Sequence, residues 1–280
     1  MSEGAMAQKE RGAAAGLPHG SELVSGWREA RRRTGRMLVA LDYDGTLLPI
    51  APRPEAAVLP EETRRLVARL AARPDTDVAV ISGRGLEDIR SRVGLEGVYY
   101  AGNHGLELSG PGLEWVHPDA LRAQPAMAAC AADLVAGLGG IDGVVMEDKR
   151  ITLSVHYRLV RDEAEVARVR RTVLATCAGR DGLRITEGKR VLEVRPTVDW
   201  DKGRATRFLV EALGLETPTR PPVVFFGDDL TDEDAFRALR GRGDGVLVAS
   251  AAELDRDTAA TALVESTDEV LELLAALADP

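Results

Sequence analysis

Residues 38–47 read Leu38-Val39-Ala40-Leu41-Asp42-Tyr43-Asp44-Gly45-Thr46-Leu47. Four apolar residues, enough for a short buried strand, end in two aspartates with only Tyr43 between them, and Gly45-Thr46 then turns the chain away. Such a strand places carboxylates at the carboxyl edge of a sheet, where open α/β folds bind ligands. There one carboxylate can attack and the other can manage protons. Asp-Gly is also an ordinary turn signal. What the stretch does therefore depends on what the rest of the chain brings to the same edge.

Outward from this strand, helices and strands alternate, which predicts a parallel sheet. Helical periodicity covers 61–72, and a strand over 78–81 ends in Ser82-Gly83-Arg84. A helix over 86–93 and a strand over 97–101 follow, the latter ending in Gly102-Asn103-His104-Gly105. Near 110–118 the pattern changes. A helix over 119–138, a hairpin of 144–148 with 151–157, a helix over 163–178 and a hairpin of 183–186 with 191–194 form an αββαββ block. After Pro196 the first pattern resumes, with a helix behind Asp201-Lys202-Gly203, strands over 223–226 and 245–248, and a helix over 267–277. The expected fold class is α/β: a parallel-sheet core built from 37–112 and 197–280, with an α+β cap inserted at 113–196. Residues 1–36 are expected to be an N-terminal tail and a short helix. The first twenty, rich in Ala, Gly and charge, are expected to be disordered. In the helix over 21–36, Leu23, Val24 and Trp27 share one side, and the arginines, Arg31 among them, are expected to be solvated.

Composition narrows the function. The chain of 280 residues has a net charge of −9 and no basic stripe, which argues against a nucleic-acid partner. Nothing approaches the ~18 apolar residues of a membrane span, and the N-terminal residues lack the apolar core of a secretory signal, so neither is expected. Two cysteines, Cys130 and Cys177, suit a reducing compartment as small core residues. A cytoplasmic monomer is expected.

A second acidic edge follows the apolar run Val223-Val224-Phe225-Phe226-Gly227, where Asp228 and Asp229 end the strand and Asp232 lies one helical turn further on. By itself this reads as a helix N-terminus, which favours Asp. Carboxylates gathered from both edges would repel, and a hard divalent cation relieves the repulsion. Oxygen ligands from Asp42, Asp228 and a backbone carbonyl, completed by waters, suit Mg²⁺. Ser82, with nearby backbone N–H groups, can hold phosphoryl oxygens, and Lys202 can neutralise the nucleophile and the transferring group. The ordered set Asp42-Tyr43-Asp44-Gly45-Thr46, Ser82, Lys202 and Asp228-Asp229 resembles the haloacid dehalogenase-like phosphatases. The resemblance implies a Rossmann-like core, Mg²⁺ and an aspartyl-phosphate on Asp42. It also implies that Asp44 is the acid–base group, with its backbone carbonyl on the metal, and that Asp229 and Asp232 are supporting acids.

The cap is where a substrate would be chosen. Period-two alternation puts Ile151, Leu153, Val155 and Tyr157 on one face and Thr152, Ser154, His156 and Arg158 on the other. Glu147 and Lys149 share a face, as do Glu193 and Arg195. A face of mixed donors and acceptors is an ordinary solvated surface, but it also fits a hydroxyl-rich sugar. The strings Glu147-Asp148-Lys149, His156-Tyr157-Arg158, Gly188-Lys189, Glu193-Val194-Arg195-Pro196 and Gly227-Asp228-Asp229-Leu230-Thr231-Asp232-Glu233 resemble the trehalose-6-phosphate phosphatases. So do Ser82-Gly83-Arg84 and Asn103-His104-Gly105. The resemblance implies sugar contacts from Glu147, Lys149, Lys189 and Glu193 in the cap and from Arg84, Asn103 and His104 in the core. It implies support of the cap from His156 and Arg158. No glycosyltransferase domain accompanies these motifs, so a free-standing phosphatase is expected. Rival readings are a phosphatase for sucrose 6-phosphate or a mannosyl phosphate, and a non-catalytic sugar-phosphate sensor.

Overall fold

The structure, a computed structural model, describes residues 12–51, 53–188, 190–217 and 222–279. In chain order the first half comprises β1 (Gly12–Ala13), α1 (Val24–Thr34), β2 (Leu38–Leu41), α2 (Glu61–Ala71), β3 (Asp77–Ile81), α3 (Leu86–Val93), β4 (Tyr99–Gly102), β5 (Glu107–Gly110) and β6 (Leu113–Val116). Then come α4 (Pro118–Leu138), β7 (Val145–Asp148), β8 (Leu153–His156), α5 (Glu163–Cys177), β9 (Leu183–Gly188) and β10 (Val191–Pro196). The chain closes with α6 (Lys202–Ala212), β11 (Val223–Gly227), α7 (Asp232–Leu239), β12 (Asp244–Val248), β13 (Asp257–Thr258), β14 (Ala262–Val264) and α8 (Thr267–Ala278).

An eight-stranded sheet in the order β14-β12-β11-β2-β3-β4-β5-β6 forms the α/β core. From β14 to β4 every pairing is parallel. Strand β2 is buried on both faces. Val39 and Leu41 enter one apolar cluster with Phe226, Val246 and Leu274, and Leu38 and Ala40 enter the opposite one with Phe225, Phe236 and Leu247. That two-sided burial is why its sequence is continuously apolar. The chain winds outward from β2 toward β4 and, in its second segment, from β11 toward β14. The adjacent pair β2 and β11 is therefore the point where strand order reverses, and ligand crevices open there at the carboxyl ends.

Between β6 and α6 lies a separate antiparallel sheet, β7-β8-β10-β9, backed by α4 and α5. Leu153, Val155, Leu192 and Val194 pack with Met127, Leu134, Val166 and Val173 of the helices. Cys130 and Cys177 are both buried in this layer, their sulfurs 3.2 Å apart. The expected α/β core with an inserted αββαββ cap is the observed class.

Three expectations need correction. Leu113–Val116, placed in the cap by a boundary at 112/113, is instead the edge strand of the core sheet, paired with β5. The hairpin is short and its outer strand only partly buried, so its sequence carries little alternation. Residues 12–20, expected to be disordered, are ordered: β1 pairs with β13, Leu263 N–H donates to the Pro18 carbonyl, and Gly20 packs against Leu273 and Val264. Arg31, expected in solvent, is 2% exposed. It lies one turn beyond Trp27 on the face of α1 that packs against α8. Its guanidinium there donates to the Leu277 carbonyl at 2.7 Å, among the unpaired carbonyls ending α8.

Candidate active site

Asp42 stands at the end of β2, with its backbone N–H donating to the Phe226 carbonyl. Gly45 permits the turn that follows. Its φ is +89°, and a Cβ there would meet the Asp228 carboxylate at 2.3 Å. Asp228, at the end of β11, is thereby brought beside the Asp42 strand end, and Thr46 donates to it at 3.4 Å. Oxygens of Asp42, Asp228 and Asp232 lie within 4.8 Å of one another.

Lys202, the first residue of α6, is 2% exposed and donates to Asp42 Oδ1 and Asp232 Oδ1, both at 2.7 Å. The second oxygen of Asp232 accepts the backbone N–H groups of Asp228 and Asp229, each at 3.0 Å. Asp232 is thus occupied in holding Lys202 and the turn. Asp229 accepts from the Thr231 hydroxyl and the Asp232 N–H. Burial, opposed by Lys202 and reinforced by Asp228 and Asp229, pushes Asp42 up to about 8. Burial, with Asp232 and Asp229, pushes Asp228 up to about 7. Lys202 is held above the usual amine range: burial opposes its charge, but Asp232 and Asp42 outweigh it. Lys202 pairs with two of the four carboxylates Asp42, Asp228, Asp229 and Asp232, which leaves surplus negative charge in a buried pocket. Asp42 and Asp228 are hard oxygen donors with capacity to spare, so the set fits a small divalent cation.

Ser82 follows β3 and is buried, its hydroxyl accepting from the Arg84 N–H. The Ser82 carbonyl accepts from the His104 N–H, and the Arg84 carbonyl accepts from the Asn103 N–H at 2.7 Å. Arg84 donates to both oxygens of Asp44, to Asp88 and to the Pro54 carbonyl, with its guanidinium over the Tyr43 ring. The structure therefore places Arg84 on the proposed acid–base residue rather than open to a sugar.

From the cap, Glu147, Ser154 and Glu193 lie opposite one another in one row across β7, β8 and β10. Lys149 Nζ bridges the two parts of the fold, donating to the Gly83 carbonyl at 3.0 Å and to Glu193 at 3.2 Å. His104 Nε2 is 3.7 Å from the other Glu193 oxygen, and its Nδ1 is buried without a hydrogen-bond partner among the described residues. Burial disfavours the charge of Glu193, but His104, Lys149 and Arg195 hold it well below the usual carboxylate range. Burial likewise opposes the charge of Glu147, which the His156 hydrogen bond at 3.2 Å and Lys149 nonetheless keep below that range. His156 is thus hydrogen-bonded to Glu147, whereas Arg158 is exposed. Lys189 lies outside the described residues. Asn103 is fully buried and engaged with Glu107, Lys149 and Thr152. Sequence reasoning missed Arg256, which donates to the backbone carbonyls of Asp228 and Asp229 and braces the acidic turn. No local pattern marks it.

This geometry meets an independent comparison: the trehalose-phosphatase family model matches residues 40–278. The chain belongs to the trehalose-phosphatase family. The trehalose-phosphate phosphatase of Mycobacterium marinum is 40% identical over 271 residues, covering 94% of this chain and 68% of that protein. The C-terminal domain of C. albicans trehalose-6-phosphate phosphatase superposes with a TM-score of 0.74 at 25% identity, over 94% of this chain and 98% of that one. A haloacid dehalogenase-like hydrolase from Bacteroides thetaiotaomicron shares the fold, with a TM-score of 0.58 at 17% identity over 85% and 98% of the two chains. As a member of the trehalose-phosphatase family the chain is a phosphatase. No described helix is long and apolar enough to cross a membrane.

Proposed function

We propose that this trehalose-phosphatase family member hydrolyses trehalose 6-phosphate to trehalose and phosphate, using Mg²⁺ and a covalent intermediate on Asp42. The observation that carries the reading is the position of Asp42. It is a buried carboxylate on Lys202, beside Asp228, and the cap row of Glu147, Ser154 and Glu193 is tied to the core by Lys149, which reaches from Glu193 to the Gly83 carbonyl.

Asp42 attacks phosphorus and the ester bond to the sugar O6 breaks, with Asp44, once substrate entry frees one of its oxygens from Arg84, carrying the proton that the leaving oxygen takes. Asp44 then accepts a proton from water as that water attacks the phosphorylated Asp42. The acyl phosphate opens, releasing phosphate and restoring the carboxylate. Lys202 stays protonated throughout and offsets charge on Asp42 and the transferring group. Ser82 supplies a hydroxyl to the phosphoryl oxygens. Asp42, Asp228 and the Asp44 carbonyl would hold Mg²⁺, whose charge offsets that of the carboxylates and the phosphoryl group. Asp229 and Asp232 keep the acidic turn and Lys202 in place. The cap excludes bulk water and selects the sugar through Glu147, Lys149 and Glu193.

The test is phosphate release from trehalose 6-phosphate, sucrose 6-phosphate and a mannosyl phosphate, with Mg²⁺ and with EDTA. Preferential, EDTA-sensitive hydrolysis of trehalose 6-phosphate is expected. Preference for another sugar, or binding without turnover, overturns the reading.

A further inference from the structure

We infer that Asn103 is a positioning residue for the cap rather than a sugar ligand: with Glu107 and Thr152 it forms a buried clasp that seats the turn from Asp148 to Thr152 on the core and thereby sets Lys149. The inference rests on the sugar-phosphate reading above.

Asn103 has no exposed surface, and Glu107 and Thr152 are 2% and 0% exposed. The Asn103 amide nitrogen donates to Glu107 Oε2 at 2.6 Å and to the Lys149 carbonyl at 3.3 Å. Both partners are acceptors only, so they fix which end of the amide is nitrogen. The amide oxygen then accepts from the Thr152 hydroxyl at 2.7 Å. Every polar atom of the side chain is engaged, and because the side chain has no exposed surface the second lone pair of its oxygen is out of reach of a sugar hydroxyl.

The clasp spans the boundary between the two parts of the fold. Asn103 and Glu107 belong to the core, whereas Thr152 and Lys149 lie in the turn between β7 and β8. The Glu107 oxygen not used by Asn103 accepts from Arg150 at 2.5 Å. Ile151 packs beside Leu106, Ala120 and Val198. Asn103 and Arg150 both have left-handed backbones, φ +52° and +68°, a conformation asparagine tolerates but arginine seldom adopts, so the turn at Arg150 is held by its surroundings. Lys149 is tied at both backbone atoms, its N–H donating to the Thr152 carbonyl and its carbonyl accepting from Ile151 and Asn103. From that seat its ammonium reaches Gly83 and Glu193. On its other side the Asn103 N–H holds the Arg84 carbonyl in the loop that carries Ser82. One residue thus ties the phosphate loop by its backbone and the sugar-facing turn by its side chain.

Thr152 makes the test clean, because it is buried and has no place in the chemistry. Trehalose 6-phosphate and p-nitrophenyl phosphate are compared on wild type, Thr152→Val, Thr152→Ser, Asn103→Ala and the Thr152→Val/Asn103→Ala double variant. Thr152→Val is expected to lower kcat/KM for trehalose 6-phosphate by about tenfold, through KM, with p-nitrophenyl phosphate turnover within about twofold of wild type. Thr152→Ser should restore the wild-type value, and the double variant should lose no more than Asn103→Ala alone. Wild-type kinetics in Thr152→Val, additive losses in the double variant, or equal losses on both substrates overturn the inference. Amide exchange across 148–152 reads the clasp without substrate. Faster exchange in Thr152→Val is expected, and unchanged exchange refutes the clasp even if Asn103→Ala does not fold. Failure of the wild type to hydrolyse trehalose 6-phosphate overturns the substrate reading instead.

Discussion

The Arg84 guanidinium grips both carboxylate oxygens of Asp44, Nε on Oδ2 at 2.7 Å and Nη2 on Oδ1 at 2.8 Å. Arg84 is itself anchored by Asp88 and the Pro54 carbonyl, so the proposed acid–base residue takes its orientation from the core and not from the cap. A lysine carries the charge but cannot supply the two-pronged geometry. Arg84→Lys is therefore expected to lower kcat by ~10–100-fold on trehalose 6-phosphate and on an aryl phosphate alike. Steady-state kinetics on both substrates check this, and a loss confined to the sugar phosphate would return Arg84 to sugar binding.

Cap substitutions should do the opposite. Glu147→Ala and Glu193→Ala each remove a charged acceptor from the row facing the core. Losing a hydrogen bond to a charged group costs ~1.5–3 kcal/mol, or ~10–100-fold. That loss should appear with trehalose 6-phosphate and be largely absent with p-nitrophenyl phosphate. Equal losses on both substrates would refute the assignment.

Asp42→Asn should reduce turnover by ~10³-fold or more, since amide nitrogen and oxygen cannot replace the nucleophile. Its stability should change in the other direction. Burial raises Asp42 to about 8, so the metal-free fold loses stability as pH rises from the ordinary carboxylate range toward 8, and above it holds out of water a charge that the unfolded chain solvates. Asp42→Asn removes it and should raise the melting temperature of metal-free protein at pH 8.5. A thermal melt that falls or stays level would contradict this balance of charges.

Mg²⁺ affinity should depend on pH. With Asp42 pushed up to about 8 and Asp228 up to about 7, both carboxylates carry protons in the metal-free site at pH 6. Binding must displace them. Affinity is therefore expected to rise from pH 6 and level off above about 9, with proton release measurable by calorimetry in buffers of different ionisation enthalpy. Affinity independent of pH across this window would rule out this site.

The N-terminal helix should be part of the folding unit. Trp27 is 4% exposed, stacks edge-on against Phe226 and donates to Asp244 at 2.8 Å. Trp27→Ala is expected to cost ~3–5 kcal/mol, as large-to-small changes in cores do. Denaturant unfolding measures it, and a change below ~1 kcal/mol would place α1 outside the cooperative core.

The core strands were legible because two-sided burial writes itself as unbroken apolar runs, as in Leu38–Leu41 and Val223–Phe226. The edge hairpin of β5 and β6 and the short β14 were not, since edge strands of three or four residues need no such run. Arg31 and residues 12–20 were misjudged for a related reason. A charged or Ala-rich segment looks solvated until a neighbouring surface, here α8 and β13, satisfies its polar groups. Among the cap residues, period-two alternation separated the apolar face of β8 from the row that carries Ser154.

By itself the sequence determined the kind of chemistry on offer: carboxylates at two strand ends, a serine and a lysine in order, and a polar face on an inserted sheet. Those are properties of local spacing and residue type. Only the tertiary structure decided which groups are spent on one another. Arg84 is committed to Asp44, Asp232 to Lys202, and Asn103 to Thr152 rather than to a ligand. Such pairings join residues forty, thirty and forty-nine positions apart. The free energy of burying a polar group depends on the partner it meets, and that partner comes from the packing of distant segments, which no local pattern records.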